Sequence, residues 1–131
     1  MKYLLDTDTV IDFIQNRGET RTRIAAMTEA GDLIGLCAVT VAELYSGLSE
    51  KNLRLFSDWL KSLPYWHISL EVAMQAGIYR KSASQAGTTL HVSDCLVAAC
   101  AREQDATVLT SNIKDYPMRD VRVMSIREEA S

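Results

Sequence analysis

The sequence predicts an α/β fold, a three-layer α/β/α sandwich around a central, mostly parallel sheet. Short apolar runs of strand length alternate with stretches whose apolar residues recur every three or four positions. Right-handed crossovers between parallel strands would place helices on both faces of the sheet. Because the chain has 131 residues, of which 47% are hydrophobic, we expect a single domain over residues 1–126 and a polar tail over 127–131.

The first third of the chain supplies two strands and two helices. Residues 2–5 form a short apolar run that predicts a buried strand. Residues 9–15 carry apolar side chains at helical spacing, and the Asn-Arg-Gly sequence at 16–18 breaks that helix. A second helix is expected over 20–30. Residues 33–39 are a continuous apolar run, which predicts another buried strand.

The middle of the chain is mostly helical in pattern. Residues 40–47 and 52–63 have helical periodicity, and Pro64 is expected to stop the second of these helices. A weak strand is predicted over 66–69. Residues 70–85 then form the longest periodic stretch, which predicts a fifth helix.

The last third repeats the alternation. Residues 93–104 predict a helix, residues 107–110 a short strand, and residues 121–125 a final strand. No apolar run approaches the roughly 20 residues that cross a bilayer, and no signal peptide is recognisable at the start. The three cysteines lack metal-site spacing and are expected to be buried free thiols. These features predict a cytoplasmic protein without a membrane partner.

Carboxylates stand where the apolar runs end. Asp6 and Asp8 follow the first strand, Glu43 follows the second, Asp94 opens the helix over 93–104, and Asp115 follows the strand over 107–110. The carboxyl ends of parallel strands meet at one edge of a sheet, so these acids are expected to lie together. Acids in such proximity repel unless a cation sits between them, and oxygen-only ligands favour Mg²⁺ or Mn²⁺.

Each acid also has a purely structural explanation. Glu43 stands three residues after Thr40, as in a capping box, and Asp94 follows Ser93 at a helix start. The remaining acids can belong to turns. The net charge of −3 argues against a general nucleic-acid coat but does not exclude a nucleic-acid enzyme. The scattered basic residues are expected to be mostly solvated, and any that line the cleft would make RNA affinity fall with salt.

Four segments together resemble the motifs of PIN-domain ribonucleases, and more narrowly the VapC toxins of toxin–antitoxin modules. They are L-L-D-T-D-T-V at 4–10, T-V-A-E-L at 40–44, S-D-C-L-V-A-A at 93–99 and L-T-S-N-I-K-D-Y at 109–116. The resemblance implies a PIN-like α/β/α sandwich and Mg²⁺- or Mn²⁺-dependent endonucleolytic cleavage of RNA. It also implies a VapB-like antitoxin that blocks the toxin, and pairing of two toxin chains as a homodimer.

Carried over by position, the resemblance assigns metal-binding and catalytic roles to Asp6, Glu43 and Asp94. The fourth acidic position of the family would be filled by Asp115, with Asn112 as the competing candidate. Further polar residues are expected to support these acids: Thr7, Asp8, Ser93, Thr110 and Asn112. The number of ions, the RNA that is cut, the antitoxin and the dimer surface are left open.

Two other functions fit parts of the pattern. D-T-D-T-V at 6–10 also resembles the first motif of haloacid-dehalogenase-type phosphatases, in which Asp6 would be the nucleophile and Asp8 the acid/base. That mechanism needs a late acidic pair and a lysine, and it leaves Glu43 without a task. A non-enzymatic binding module, with the acids as helix caps, is the second alternative.

Overall fold

The computed structural model describes residues 1–127, so the predicted polar tail lies outside the described residues except for Arg127. Its centre is a five-stranded sheet in the order β3-β2-β1-β4-β5, with every neighbouring pair parallel. The strands are β1 Lys2–Leu5, β2 Leu33–Cys37, β3 Tyr65–Trp66, β4 Thr107–Thr110 and β5 Val123–Ser125. The helices are α1 Thr7–Ile14, α2 Thr20–Glu29, α3 Ala38–Gly47, α4 Glu50–Leu60, α5 Leu70–Gln85 and α6 Val92–Glu103.

Two apolar clusters cover the two faces of the sheet. Leu4 belongs to one cluster, together with residues of α5 and α6. Tyr3 and Leu5 belong to the other, together with residues of α1, α2, α3 and α4. Successive strand side chains point to opposite faces, so this division is what a sheet between two helical layers requires. The predicted α/β/α sandwich is confirmed.

Parallel register brings the carboxyl ends of the central strands to one edge. Leu5 at the end of β1 pairs with Leu109 of β4, and Thr110 pairs with Ser125 of β5. The backbone N–H of Asp6 continues this pairing with a 3.4 Å hydrogen bond to the Leu109 carbonyl. Residues that directly follow β1, β4 and β5 are therefore neighbours.

Most predicted elements agree with the structure, and the differences lie at their ends. The bounds of α5 and β4 are those predicted. By contrast, α3 begins at Ala38, so the apolar run over 33–39 contains a strand followed directly by the first turn of a helix. An apolar run cannot separate a buried strand from the first turn of a buried helix. The β5 strand begins at Val123 instead of residue 121, and β3 is Tyr65–Trp66 instead of 66–69.

Packing between β2 and β3 requires a glycine. A Cβ atom on Gly35 would lie 2.6 Å from the ring of Trp66, which is far closer than atoms of this size can approach. The side chain of Trp66 therefore occupies the space that a larger residue at position 35 would need. Cys37, Cys95 and Cys100 are buried free thiols, as predicted. Within residues 1–127, no helix combines the length and apolar character needed to cross a membrane.

Candidate active site

A cavity of about 310 Å³ opens at the carboxyl edge of the sheet. Its lining comes from the segments that follow β1 and β4 and from helices α3 and α6. Acidic and other polar side chains dominate it: Asp6, Thr7, Asp8, Glu43, His91, Ser93, Asp94, Val97, Asp115 and Tyr116. The four acids assigned by resemblance, Asp6, Glu43, Asp94 and Asp115, thus reach one cavity from four separate segments of the chain.

Asp6 lies at the bottom of this cavity and is 6% exposed. It caps the N-terminus of α1, where its Oδ1 accepts hydrogen bonds from the Thr9 N–H (3.0 Å) and the Thr9 hydroxyl (2.8 Å). Its Oδ2 accepts from the hydroxyls of Thr110 and, at 3.3 Å, of Tyr116. Burial nevertheless raises the pKa of Asp6, and the nearby charge of Asp8 adds to this, because every donor to the carboxylate is neutral.

Asp94 lies in the first turn of α6 and faces Asp6 across the cavity. Its pKa is raised to about 6, first by burial and then by the charge of Asp115, with a smaller contribution from Asp6. The Tyr116 hydroxyl lies 3.4 Å from Asp94 Oδ1 and within hydrogen-bonding distance of Asp6. That hydroxyl has one proton, so it donates to one carboxylate at a time. Burial and these neighbouring acids raise the pKa of Tyr116.

Glu43 reaches the cavity from the second turn of α3. The Thr7 hydroxyl donates a 2.7 Å hydrogen bond to Glu43 Oε1, which links the start of α1 to α3. Because α3 begins at Ala38, the capping box with Thr40 that the sequence suggested is wrong. The Thr40 hydroxyl instead lies 3.4 Å from the Leu5 carbonyl. Glu43 is thus available to the cavity and is not used as a helix cap.

The remaining predicted residues occupy different positions. Thr7, Asp8 and Ser93 line the cavity, whereas Thr110 contacts Asp6 from its buried side. Asn112 lies outside the lining, and its backbone N–H donates to the Thr110 hydroxyl at 3.0 Å.

Two cavity residues were not given a role from the sequence. His91 lies just before the helix predicted over 93–104, and Tyr116 is the last residue of the motif at 109–116; both line the cavity. Tyr116 lies just after a 3₁₀ turn, Ile113–Asp115, where no periodicity predicts which way a side chain points. Its position directly after the candidate acid Asp115 was the one available signal.

The chemistry of the donors fits a hard divalent cation. Among residues 1–127, no ion pair involves a carboxylate of this cavity. Burial and the charge of Asp115 raise the pKa of Asp94, and the favourable interaction with His91 does not offset them. In the part of the chain that is described, no three His, Cys, Asp or Glu side chains are close enough together to hold an ion as they stand. The carboxylates would therefore have to turn toward one another to bind one.

Comparison with known proteins identifies the family of the chain. The sequence profile of the PIN domain matches residues 3–121. The chain belongs to the PIN-domain family. Ribonuclease VapC2 of Haemophilus influenzae is 26% identical over 98% of this chain and 97% of its own length. The tRNA(fMet)-specific endonuclease VapC of Salmonella typhimurium is likewise 26% identical, over 98% and 97% of the two chains.

Solved structures show the same fold. A chain of the DNA-bound VapBC2 complex from Rickettsia felis superimposes with a TM-score of 0.84 at 21% identity, over 95% of this chain and 98% of that one. A chain of DNA-bound VapBC from Salmonella typhimurium gives a TM-score of 0.82 at 25% identity, over 96% and 98%. The PIN-like sandwich predicted by resemblance is thereby confirmed.

Proposed function

We propose that this PIN-domain chain is a VapC-type toxin that hydrolyses phosphodiester bonds of RNA with Mg²⁺ or Mn²⁺ held by Asp6, Glu43, Asp94 and Asp115. The observation that carries the proposal is the convergence of these four acids on one cavity whose described lining contains no lysine or arginine. A structural cluster would be neutralised by lysine or arginine, because unpaired buried carboxylates are costly. The relatives named VapC ribonucleases support the same reaction class.

The residues of the cavity have distinct tasks in this proposal. A bound cation would lower the pKa of a water molecule and neutralise charge on the phosphoryl oxygens. Asp6 is held in one orientation by Thr9 and Thr110, so it presents fixed oxygens to the cavity. The Thr7 hydroxyl orients Glu43 in the same way. Such hydrogen bonds to a ligand are what keep a metal site in its productive geometry.

Proton transfer is assigned to the half-buried acid. Asp94 lines the same cavity as the other acids, and its pKa in the metal-free chain is raised to about 6, so it is the carboxylate assigned to accept a proton from water. His91 and Ser93 lie on the same wall and offer hydrogen-bond donors to a substrate phosphate. The Tyr116 hydroxyl lies between Asp6 and Asp94 and donates its proton to one of the two carboxylates at a time.

The proposal includes the biological setting. Solved structures with the same fold include a toxin–antitoxin complex from Klebsiella pneumoniae and VapBC-5 of Mycobacterium tuberculosis, a member of the VapBC family of toxin–antitoxin systems, which supports a VapB-like antitoxin as the partner of this chain. We further propose that residues 1–126 act as one nuclease domain, that the toxin is a cytoplasmic homodimer, and that the antitoxin covers the cavity. Size-exclusion chromatography with light scattering would test the dimer, and a monomer at micromolar concentration would contradict it.

The phosphatase alternative is not favoured. Its mechanism needs a lysine beside the nucleophile, and none of the residues described as lining the cavity is a lysine. It also assigns nothing to Glu43, which the structure places in the same cavity. The match of residues 3–121 to the PIN domain argues against it independently.

The decisive experiment separates these activities. Purified protein is incubated with single-stranded RNA and, separately, with a phosphomonoester, in Mn²⁺, Mg²⁺ or EDTA. We expect RNA cleavage with either ion and none in EDTA. The Asp94→Asn variant should neither cleave RNA nor arrest growth when expressed, while it keeps the far-UV circular dichroism of the parent. Phosphomonoester turnover, or toxicity that persists in Asp94→Asn, would contradict the proposal.

A further inference from the structure

A second cleft lies on the same edge of the sheet and has the opposite charge. We propose that this arginine cleft, defined by Arg17, Arg23 and Arg127, binds a backbone phosphate of the RNA outside the catalytic cavity. The inference rests on the proposed ribonuclease function and extends it to how the substrate is held. None of the described residues that line the catalytic cavity is a lysine or an arginine, so this lining has no such cation to bind a phosphate.

The cleft is large enough for a phosphate and part of its sugar. Its volume is about 440 Å³, and it lies between the loop that precedes α2 and the end of β5. Three of its lining side chains are cationic and one is anionic: Arg17, Gly18, Glu19, Thr20, Arg23, Ile126 and Arg127. This excess of positive charge is local, because the whole chain carries a net charge of −3.

Two of the arginine side chains lie beside a buried aspartate and are still exposed to solvent. Asp12 of α1 is 3% exposed, and its Oδ2 lies 3.0 Å from Arg127 Nη2. Its Oδ1 lies 3.9 Å from Arg17 Nη1, which is too long for a hydrogen bond. The side chains of Arg17 and Arg127 are nevertheless 60% and 62% exposed. A guanidinium has five N–H donors, so both keep donors for an anion.

Arg23 is fixed in a different way. Its Nη1 donates to the carbonyl of Ser125, at 3.1 Å, and to the carbonyl of Ile126, both at the end of β5. These contacts hold the guanidinium at the carboxyl edge of the sheet and leave its other nitrogens for a ligand. A planar guanidinium pairs well with phosphate oxygens, and three around one cleft favour a phosphate over a carboxylate of a single side chain.

The position of the cleft matches a strand of RNA that also enters the catalytic cavity. Asp6 and Asp12 lie six residues apart on α1, which corresponds to about 9 Å along the helix. The same separation follows from the sheet, because β5 is two strands away from β1 at roughly 4.8 Å per strand. The cleft is thus close enough for a neighbouring nucleotide of the same strand. An acidic protein segment would have no reason to lie beside carboxylates that repel it.

The test measures RNA binding without cleavage. Fluorescein-labelled single-stranded RNA is titrated with Asp94→Asn protein in EDTA at several salt concentrations. Adding Arg17→Gln should weaken binding by about fivefold to tenfold at 50 mM salt and lower the salt-dependence slope by about 0.7. Arg17 is chosen because its pair with Asp12 is the weakest contact in the cleft. Glu19→Gln should tighten binding by about twofold, because it removes the one acid of the lining.

Arg17→Gln and Glu19→Gln are expected to change RNA affinity in opposite directions. This excludes a folding artefact, because damage to the loop would not strengthen binding. Arg54→Gln is the matched control, because Arg54 is exposed on α4 and lines neither the cleft nor the catalytic cavity. Equal losses in Arg17→Gln and Arg54→Gln, or an unchanged slope in Arg17→Gln, would overturn the subsite.

A further experiment distinguishes RNA from an acidic protein segment as the ligand of the arginine cleft. Polyglutamate that binds the parent but not Arg17→Gln, with RNA affinity unchanged, would reassign the cleft to an acidic segment and overturn the subsite. Unsubstituted protein that neither binds nor cuts RNA would instead refute the ribonuclease itself. RNA cutting by the unsubstituted protein, combined with unaffected cleft variants, would refute the subsite alone.

Discussion

Two buried aspartates belong to helix α1, Asp6 as its N-terminal cap and Asp12 within it, and their charges have different surroundings. Asp12 is 3% exposed and lies beside the guanidinium groups of Arg17 and Arg127. Asp6 is 6% exposed, accepts hydrogen bonds from neutral groups alone, and adds to the raised pKa of Asp94. The two carboxylates share a helix and a degree of burial, so burial alone does not distinguish a structural acid from a functional one.

The difference lies in what neutralises each charge. A buried acid that serves the fold is paired with a cation from the protein, because breaking such a pair is strongly destabilising. A buried acid that serves a reaction is left to be neutralised by a metal or a proton, and its pKa is perturbed as a result. Asp12 fits the first description, and the proposed function gives Asp6 the second, which is the physical basis for proposing that the chemistry takes place in the cavity.

Asp6→Asn should produce the largest loss of activity. The amide keeps the size of the side chain but removes the charge that would hold a cation, so we expect RNA cleavage to fall by at least about 100-fold. The Thr110 hydroxyl can rotate to accept from the new amide, so thermal unfolding should occur at the same or a higher temperature. Cleavage close to that of the parent would show that Asp6 is only a helix cap.

Tyr116→Phe should have a smaller effect at the same site. The variant removes one hydroxyl that contacts Asp6 and Asp94 but no candidate metal ligand, so we expect cleavage to fall about tenfold. Loss of that donor should also raise the pKa of Asp94 further, which shifts the acidic limb of the pH–rate profile to higher pH. An unchanged profile would mean that the tyrosine only fills space.

Asp12→Asn is expected to affect the fold and spare the reaction. Because Arg17 and Arg127 are largely solvated, the loss should be below that of a fully buried pair, about 1–2 kcal/mol in the free energy of unfolding. At saturating RNA, kcat per folded molecule should stay within about threefold of the parent. Urea denaturation and single-turnover cleavage measure the two quantities. A large loss of kcat without loss of stability would reverse the assignment of the two aspartates.

The sequence was informative where a general rule of the fold applies. Asp6, Glu43, Asp94 and Asp115 could be placed in one cavity because parallel strands bring their carboxyl ends to one edge. The start of α3 could not be predicted, since an apolar run conceals the change from strand to helix.

Contacts between residues that are far apart in the sequence could not be predicted either. The ion pair of Asp12 with Arg127 spans 115 residues, and no local pattern announces it. The orientation of Tyr116 depends on a 3₁₀ turn and on burial against distant segments. Both features distinguish the surroundings of Asp12 from those of Asp6, so the contrast between the two aspartates is visible only in the three-dimensional structure.

Acid pH should produce the smallest effect, on the stability of the metal-free protein. The pKa of Asp94 is about 6 in the folded chain against a usual value of 3.8, so the folded state binds a proton more tightly than the unfolded state. The free energy of unfolding should therefore rise as pH falls from 7 through 6 toward 4, because proton uptake removes the cost of burying the charge and then the repulsion from Asp115. Asp94 is half exposed, so solvent screening limits the gain to about 1 kcal/mol at most. Thermal melts in EDTA measure it, and Asp94→Asn isolates it from the other titrating groups. The difference in melting temperature between the parent and Asp94→Asn should change between about pH 4.5 and about pH 7.5. A constant difference would mean that Asp94 does not titrate with a raised pKa, and it would contradict the contrast with Asp12.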